Sequence, residues 1–222
     1  DAVRRAARDP EVRVIVITGA GDRAFSAGGD LSGGFVDSPI VDHDRRSALA
    51  DLFRALRRCG KPTVARVNGH ALGGGFGLAA ACDITIAVDS ATLGTPEIKV
   101  GLWPMMISAV LMPLVPRKAL LEMMLTGRRI DATEAKELGI VNTVVAAAEL
   151  DSVVDGVVDA LLAQSPAALA LGKSAFYAVA DLDFDSALDH LHNGLTAIAM
   201  TEDAVEGVTA FVERRDPEWR GR

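Results

Sequence analysis

The sequence predicts an α/β fold that closes in a helical region. Three observations carry this reading. Val12 to Thr18 is an almost unbroken β-branched run, as in a strand covered on both faces, and Thr63 to Val67 and Ile84 to Val88 read the same way. Between the first two, Leu49, Leu52, Phe53 and Leu56 recur at i, i+3, i+4 and i+7, marking an amphipathic helix over roughly residues 42–58. From Leu150 onward the apolar residues keep a helical period.

Strand and helix alternate through the first part, which favours parallel pairing through right-handed crossovers and leaves open whether the sheet is flat or coiled. A small-residue helix through Leu78, Ala79, Ala80 and Ala81 follows the second strand region. Asp131 or Thr133 caps a short helix that closes near Gly139, and Ile140 to Val145 returns as a strand. Leu150, Val153, Val154, Val157, Val158, Leu161 and Leu162 then form a helical stripe, with further helices across 167–180, 186–200 and 202–213. The expected division is a core, residues 1–145, and a helical region, residues 146–222. Several late helices are more apolar than a monomer surface comfortably exposes; packing on neighbouring subunits and packing on their own core explain this equally.

The chain of 222 residues suits one large domain, or a domain with a small appendage, and either buries a substantial core. With 23 basic and 30 acidic residues the net charge is −7, which argues against nucleic acid or an anionic membrane surface as main partner. A polyanionic ligand would need a local basic patch. The two cysteines, Cys59 and Cys82, have no metal-ligand spacing and read as buried packing residues in a reducing compartment. No apolar stretch approaches the length of a membrane span, and the residues from Asp1 are charged rather than signal-like, so a soluble, cytoplasmic protein is expected.

Two glycine-rich turns each follow a strand-like run: Phe25-Ser26-Ala27-Gly28-Gly29-Asp30-Leu31 and His70-Ala71-Leu72-Gly73-Gly74-Gly75-Phe76-Gly77. Backbone N–H groups from both, aimed into one pocket, would make an oxyanion hole, since fixed amides stabilise the charge that acyl chemistry places on a carbonyl oxygen. A plain strand-to-helix turn accounts for either run alone. Dinucleotide and phosphate-loop fingerprints do not fit, because a third glycine would fall at Leu78 and no Gly-Lys pair has its upstream glycine. Ala24-Phe25-Ser26-Ala27-Gly28 approaches a nucleophile elbow but has Ala24 at the first glycine, and His43, His70, His190 and His192 lie in no triad context. A serine hydrolase is therefore a minor rival. Glu97 stands in the mostly apolar segment Gly94 to Pro104, where Trp103, Pro104, Met105 and Met106 would partly desolvate it and raise its pKa toward the range useful for proton transfer. Arg128-Arg129 and Arg214-Arg215 read as solvated or salt-bridged.

The two turns, Pro96-Glu97-Ile98 and the closing run Glu202 to Arg215 resemble the crotonase superfamily of enoyl-CoA hydratases and isomerases over nearly the whole chain. That resemblance implies a spiral of ββα units followed by carboxyl-terminal helices, assembled as a homotrimer or hexamer. It makes Ala27 and Gly74 the two amide donors to a thioester oxygen and Glu97 a catalytic acid/base. The expected substrate-binding set is Ala27, Gly28, Gly29, Asp30, Leu31, Gly73, Gly74 and Trp103. The partner is an acyl-CoA thioester, and no separate cofactor or metal is expected, because coenzyme A is part of the substrate.

The chain departs from the family pattern twice. Hydratases of the standard type have another glutamate 20 residues before the position of Glu97, and here that place is Gly77. One carboxylate suffices to move a proton from C2 to C4 of a 3-enoyl thioester, whereas hydration is more simply done by two groups flanking a water. Second, the chain opens within what resembles the end of the family's first helix, so the usual initial β-hairpin and part of the CoA-binding wall are missing from it. Hydration of a 2-enoyl-CoA ranks first on overall similarity, with isomerisation close behind and a non-catalytic acyl-CoA binder as the alternative of another class.

Overall fold

The computed structural model describes residues 1–31, 40 and 43–222, apart from the side chains of residues 44 and 45. Two units are distinguished: one comprises Val16–Leu56 and Thr63–Asp155, the other Asp1–Ile15, Arg57–Pro62 and Gly156–Arg222.

In the first unit the chain lays down paired strands. β1 (Ile15–Thr18), β3 (Thr63–Val67), β5 (Ile84–Val88) and β8 (Thr143–Val145) form one sheet in the order β1-β3-β5-β8. β2 (Ala24–Ser26), β4 (His70–Leu72), β6 (Thr92–Gly94) and β7 (Arg129–Asp131) form the other, in the order β2-β4-β6-β7. The pairs β3–β5, β5–β8, β2–β4 and β4–β6 are parallel, and β6–β7 is antiparallel. Each pass adds one strand to each sheet and then a helix: β1-β2 leads to α2 (His43–Arg58), β3-β4 to α3 (Gly74–Ala80), and β5-β6 to a 3₁₀ turn, Pro96–Val100. The open choice between flat and coiled is thus resolved as a spiral of ββα units.

The strand expected from Val12 begins only at Ile15, because Val12 N–H closes the turn behind Pro10 by donating to Asp9 O at 3.2 Å. The helix expected from residue 42 runs from His43, residue 42 itself lying outside the described residues. Asp131, not Thr133, caps α6 (Ala132–Glu137), its Oδ1 accepting from Glu134 N–H at 2.8 Å. Two helices that the sequence reading did not resolve, α4 (Met105–Leu111) and α5 (Arg117–Thr126), follow the 3₁₀ turn. Phe76, Ile86, Leu93, Leu111, Met123 and Ile130 are all but inaccessible and form the core, each worth roughly 1.5–3 kcal/mol of burial.

Asn68 fixes the two strand-to-strand connections against each other. Its Oδ1 accepts from Gly19 N–H at 3.0 Å, and its Nδ2 donates to Gly21 O at 2.7 Å and Ala24 O at 3.3 Å. Strand β2 is thereby held in place beside β4, which is what positions the glycine turns. Arg128 forks between Glu122 on α5 and Glu134 on α6, so the ion-pair reading holds there.

The second unit holds α1 (Ala2–Arg8) and, after α7 (Leu150–Leu162), the helices α8 (Pro166–Ala178), α9 (Phe184–Ala199) and α10 (Glu202–Glu213). Lys61 Nζ donates to the carbonyls of Ala6 and Asp9 at the end of α1, and Trp219 Nε1 donates to Ala163 O at 2.7 Å. Cys59 is half-buried rather than buried: its Sγ donates to Lys61 O at 3.2 Å, at the margin of a cavity. No single helix among the described residues is long and apolar enough to cross a membrane.

Candidate active site

Ala27, Gly73-Gly74 and Glu97 all follow the carboxyl ends of neighbouring parallel strands, β2, β4 and β6. The register, Ser26 opposite Ala71 and Leu72 opposite Gly94, brings them to one edge of the second sheet. Sites in α/β proteins gather at that edge because loops leaving parallel strands converge there.

The two glycine turns pack backbone against backbone. A β-carbon on Gly28 would stand 3.0 Å from Leu72 O and 3.2 Å from Gly74 N, and one on Gly74 would stand 3.8 Å from Gly28 Cα. Ser26 is wedged against α3, since a β-carbon on Gly75 would overlap its Cβ and Oγ at 2.6 and 2.7 Å. Gly73 N–H is taken up by Gly94 O at 2.9 Å. Gly74 is the first residue of α3, so its N–H has no partner within the helix. Among the described residues neither Ala27 N–H nor Gly74 N–H has a hydrogen-bond acceptor.

Glu97 lies in the 3₁₀ turn that Gly101 closes in the left-handed region at φ +74°. It is half-buried, and Gly73 lies against it: a β-carbon there would be 3.0 Å from Glu97 Oε1. Glu97 Oε2 is buried without a partner among the described residues. Burial pushes the carboxyl pKa above its ordinary value, opposed by a hydrogen bond from its own backbone N–H. The neighbouring Thr95 is wholly buried, and its Oγ1 too has no partner among the described residues. Sequence reading passed over Thr95, a residue type with no distinctive pattern in a Gly-Thr-Pro-Glu segment.

Position 77 is closed by apolar side chains. A β-carbon there would come 2.8 Å from Ile107 Cβ and 3.0 Å from Phe53 Cζ, so helices α2 and α4 fill the place where a second glutamate would stand. Neither residue was singled out from the sequence as part of the site.

The remaining positions are less closely gathered. Gly29, Asp30 and Leu31 continue the first turn toward solvent, with Leu31 49% exposed. Trp103 is half-buried at the approach to α4, and its carbonyl accepts from Met105 N–H at 2.7 Å. The expectation that Met105 shields Glu97 is corrected: its side chain is 72% exposed, because α4 turns its core face through Ile107 and Leu111 instead. Ser26 Oγ accepts from Gly28 N–H at 3.3 Å, while His70 Nδ1 bonds Thr92 Oγ1 at 2.9 Å, and among the described residues no imidazole bonds Ser26. A cavity of about 450 Å³ in the other unit, lined by Arg13, Cys59, Lys61, Leu169 and Trp219 among others, contains none of these residues.

Comparison with known proteins follows the same lines. The model of the enoyl-CoA hydratase/isomerase family matches residues 1–222. Carnitinyl-CoA dehydratase of Escherichia coli (strain K12) is 37% identical over an alignment of 222 residues, covering 96% of this chain and 84% of that protein. Among solved structures, an enoyl-CoA hydratase of Mycobacterium smegmatis superposes with a TM-score of 0.94 at 36% identity, covering 98% of this chain and 85% of that one. Subunit I of an enoyl-CoA hydratase of Geobacillus kaustophilus HTA426 gives a TM-score of 0.91 at 37% identity, covering 100% of this chain and 85% of that one.

Proposed function

This chain belongs to the enoyl-CoA hydratase/isomerase family, whose members act on acyl-CoA thioesters, and from that premise we propose that it adds water to a 2-enoyl-CoA, or removes it in reverse. The observation that supports this reading most directly is the packing of the Gly28 turn on Gly74 with Glu97 against Gly73. In the proposed reaction the thioester oxygen lies between Ala27 N–H and Gly74 N–H. Those donors take up the charge of the enolate, each worth roughly 3 kcal/mol of barrier. Glu97, whose burial favours its neutral form, exchanges the proton. The chemistry is proton transfer at an enolate and uses no group beyond the substrate's own coenzyme A.

One observation favours double-bond isomerisation as the second reading. With Ile107 and Phe53 filling the space beside Gly77, no second carboxylate stands there among the described residues, and a 1,3-proton shift needs only one. The similar carnitinyl-CoA dehydratase leans the other way, its name describing loss of water from an acyl-CoA. Incubation with 2-enoyl-CoA and 3-enoyl-CoA in isotope-labelled water separates the two. Label in a 3-hydroxyacyl product supports hydration; exchange without net water addition supports isomerisation, and neither with either thioester removes the enzyme reading in favour of a non-catalytic acyl-CoA binder.

Two further parts of the reading are assembly and location. The apolar side chains that α9 and α10 present to solvent, Leu195, Val208 and Phe211 among them, suit burial between copies in a homotrimer or hexamer. Cys59 and Cys82, neither of them in a disulfide, suit a reducing compartment such as the cytoplasm.

A further inference from the structure

Resting on the hydratase reading, we infer that Phe53, backed by Ile107, is a specificity-determining residue that ends the acyl pocket and limits the substrate to short 2-enoyl groups. In that reading the thioester oxygen is taken by Gly74 N–H, which fixes where the acyl chain starts. Three neighbours decide where it goes. On one side the first turn packs backbone to backbone, a β-carbon on Gly74 standing 3.8 Å from Gly28 Cα. On another, Glu97 lies against Gly73. The side chain nearest Gly74 is that of Leu49, whose Cδ2 would be 3.5 Å from a β-carbon there. Leu49 belongs to α2 and is half-buried, so it offers an apolar surface that a ligand can reach. An acyl chain, which gains by leaving water, lies against that face rather than against backbone amides or a carboxylate.

Followed along α3, the same face closes. Gly77 stands three residues after Gly74, on the same side of the helix and about 4.5 Å further along its axis. Phe53 stands four residues after Leu49, so α2 and α3 meet a second time about one turn on. There a β-carbon on Gly77 would lie 3.0 Å from Phe53 Cζ and 2.8 Å from Ile107 Cβ, which leaves no room for even one methyl group. A glycine at position 77 therefore does not enlarge the pocket, because the space its missing side chain leaves is filled. Ile107 is 2% exposed and fixed in α4, whereas Phe53 is half-buried; Phe53 is the accessible member of the barrier and Ile107 its support. At the other end, a β-carbon on Gly29 would meet nothing within 4 Å. The site is thus open beside the first turn, where the coenzyme A end leaves, and shut at position 77, where the acyl end stops. About one helical turn separates carbonyl and barrier, the reach of a four-carbon acyl group and not of an eight-carbon one.

The whole chain, Phe53→Ala and Phe53→Leu are assayed for hydration of 2-enoyl-CoA thioesters of four and eight carbons, and their binding of butyryl-CoA and octanoyl-CoA is measured by calorimetry. The parent is expected to favour the four-carbon substrate in kcat/KM by at least about tenfold, since one excess methylene in a filled apolar pocket is worth roughly 10–200-fold. Phe53→Ala is expected to raise the eight-to-four ratio of kcat/KM about tenfold or more and to tighten octanoyl-CoA relative to butyryl-CoA, with Phe53→Leu between. A merely structural role for Phe53 lowers both substrates alike and leaves the ratio unmoved. Should Phe53→Ala fail to fold by circular dichroism, Phe53→Leu carries the comparison. The inference is overturned if the parent uses or binds the eight-carbon thioester as well as the four-carbon one, or if neither variant changes the ratio. If the parent hydrates neither thioester but prefers butyryl-CoA to octanoyl-CoA in binding, and Phe53→Ala relaxes that preference, the hydratase reading falls and the length limit stands. A parent that binds neither removes both.

Discussion

Gly73 and Glu97 are in contact across the ends of β4 and β6: a β-carbon on Gly73 would stand 3.0 Å from Glu97 Oε1, with Gly73 held at φ +54° and ψ −126°. A side chain is excluded there twice, by backbone conformation and by the carboxylate. Gly73→Ala is therefore expected to cost about 1–3 kcal/mol of stability through strain, and to displace either Glu97 or the Gly74 amide. Urea denaturation and turnover measured together check this. A variant as stable and active as the parent would contradict the geometry.

Replacing the carboxylate separates its chemistry from its burial. Glu97→Gln is expected to lower turnover roughly 10²–10⁴-fold, the usual scale for loss of a general acid or base. Burial raises the folded-state pKa of Glu97 above its ordinary value of 4.5, so the ionised form is the one disfavoured by folding. Stability associated with the neutral form is complete at pH below 4.5 and lost as pH rises through the folded value. The glutamine variant should thus unfold at a higher temperature than the parent at neutral pH, with the difference shrinking on acidification. Denaturation scans across pH read the sign directly; a gap that widened in acid would reverse the assignment.

Restoring a carboxylate at position 77 should fail for steric reasons. Gly77→Glu must displace Ile107 Cβ, 2.8 Å from the new β-carbon, and Phe53 Cζ, 3.0 Å away. Overpacking of this kind costs about 1–3 kcal/mol before the buried charge is counted. The variant is expected to be less stable and no faster in hydration, and Gly77→Glu with Ile107→Ala is expected to recover part of the stability. Equal stability of the single variant and the parent, by urea denaturation, would show that α4 yields easily.

Such neighbours explain what was legible in the sequence. Strands β3 and β5 and helix α2 were readable because five to sixteen residues give a periodic pattern room to repeat. Strands β2, β4, β6 and β7 have three residues each, too few for any period, yet the candidate site follows the ends of the first three. The glycine turns and Glu97 could be picked out as chemical types. That Ile107 closes position 77, or that Thr95 is wholly inaccessible, depends on segments far apart in the chain and is set by the spiral. Met105, in a run that read as shielding, proved exposed because a seven-residue helix can present only one side to the core.

Asp203 gives a prediction away from the site. It is 1% exposed and gathers Ser165 Oγ–H at 2.7 Å and the N–H groups of Arg220 at 2.7 Å and Gly221 at 3.0 Å, tying the chain end to α8 and α10. Burial pushes its pKa up, but the bonds from Ser165, Arg220, Gly221 and Ala167 together outweigh this and hold it below 3.8. Its contribution is accordingly present above pH 3.8 and lost as pH falls through the lowered folded value. Asp203→Ala leaves several buried donors unpaired and is expected to cost roughly 2–4 kcal/mol at neutral pH, less in strong acid. A neutral-pH loss below the error of a urea titration would mean the tail is held otherwise.

The last prediction concerns the face of α10. Val205, Val208 and Val212 follow one another at helical spacing and are 64%, 67% and 73% exposed, with Phe211 beside them at 84%. Glu206 and Glu213 on the same helix are engaged by Arg215, so the charged side chains are drawn to one side and the apolar ones left together. A stripe of this kind is unfavourable in water and favourable between subunits, where burying Phe211 alone is worth roughly 1.5–3 kcal/mol. If copies of the chain assemble through it, Phe211→Asp should shift the protein to a smaller species, with little effect on the fold of the monomer because the side chain makes no core contact. Light scattering after size exclusion decides between the outcomes. A parent that already runs as a monomer, or a variant that keeps the parent's mass, would move the interface elsewhere.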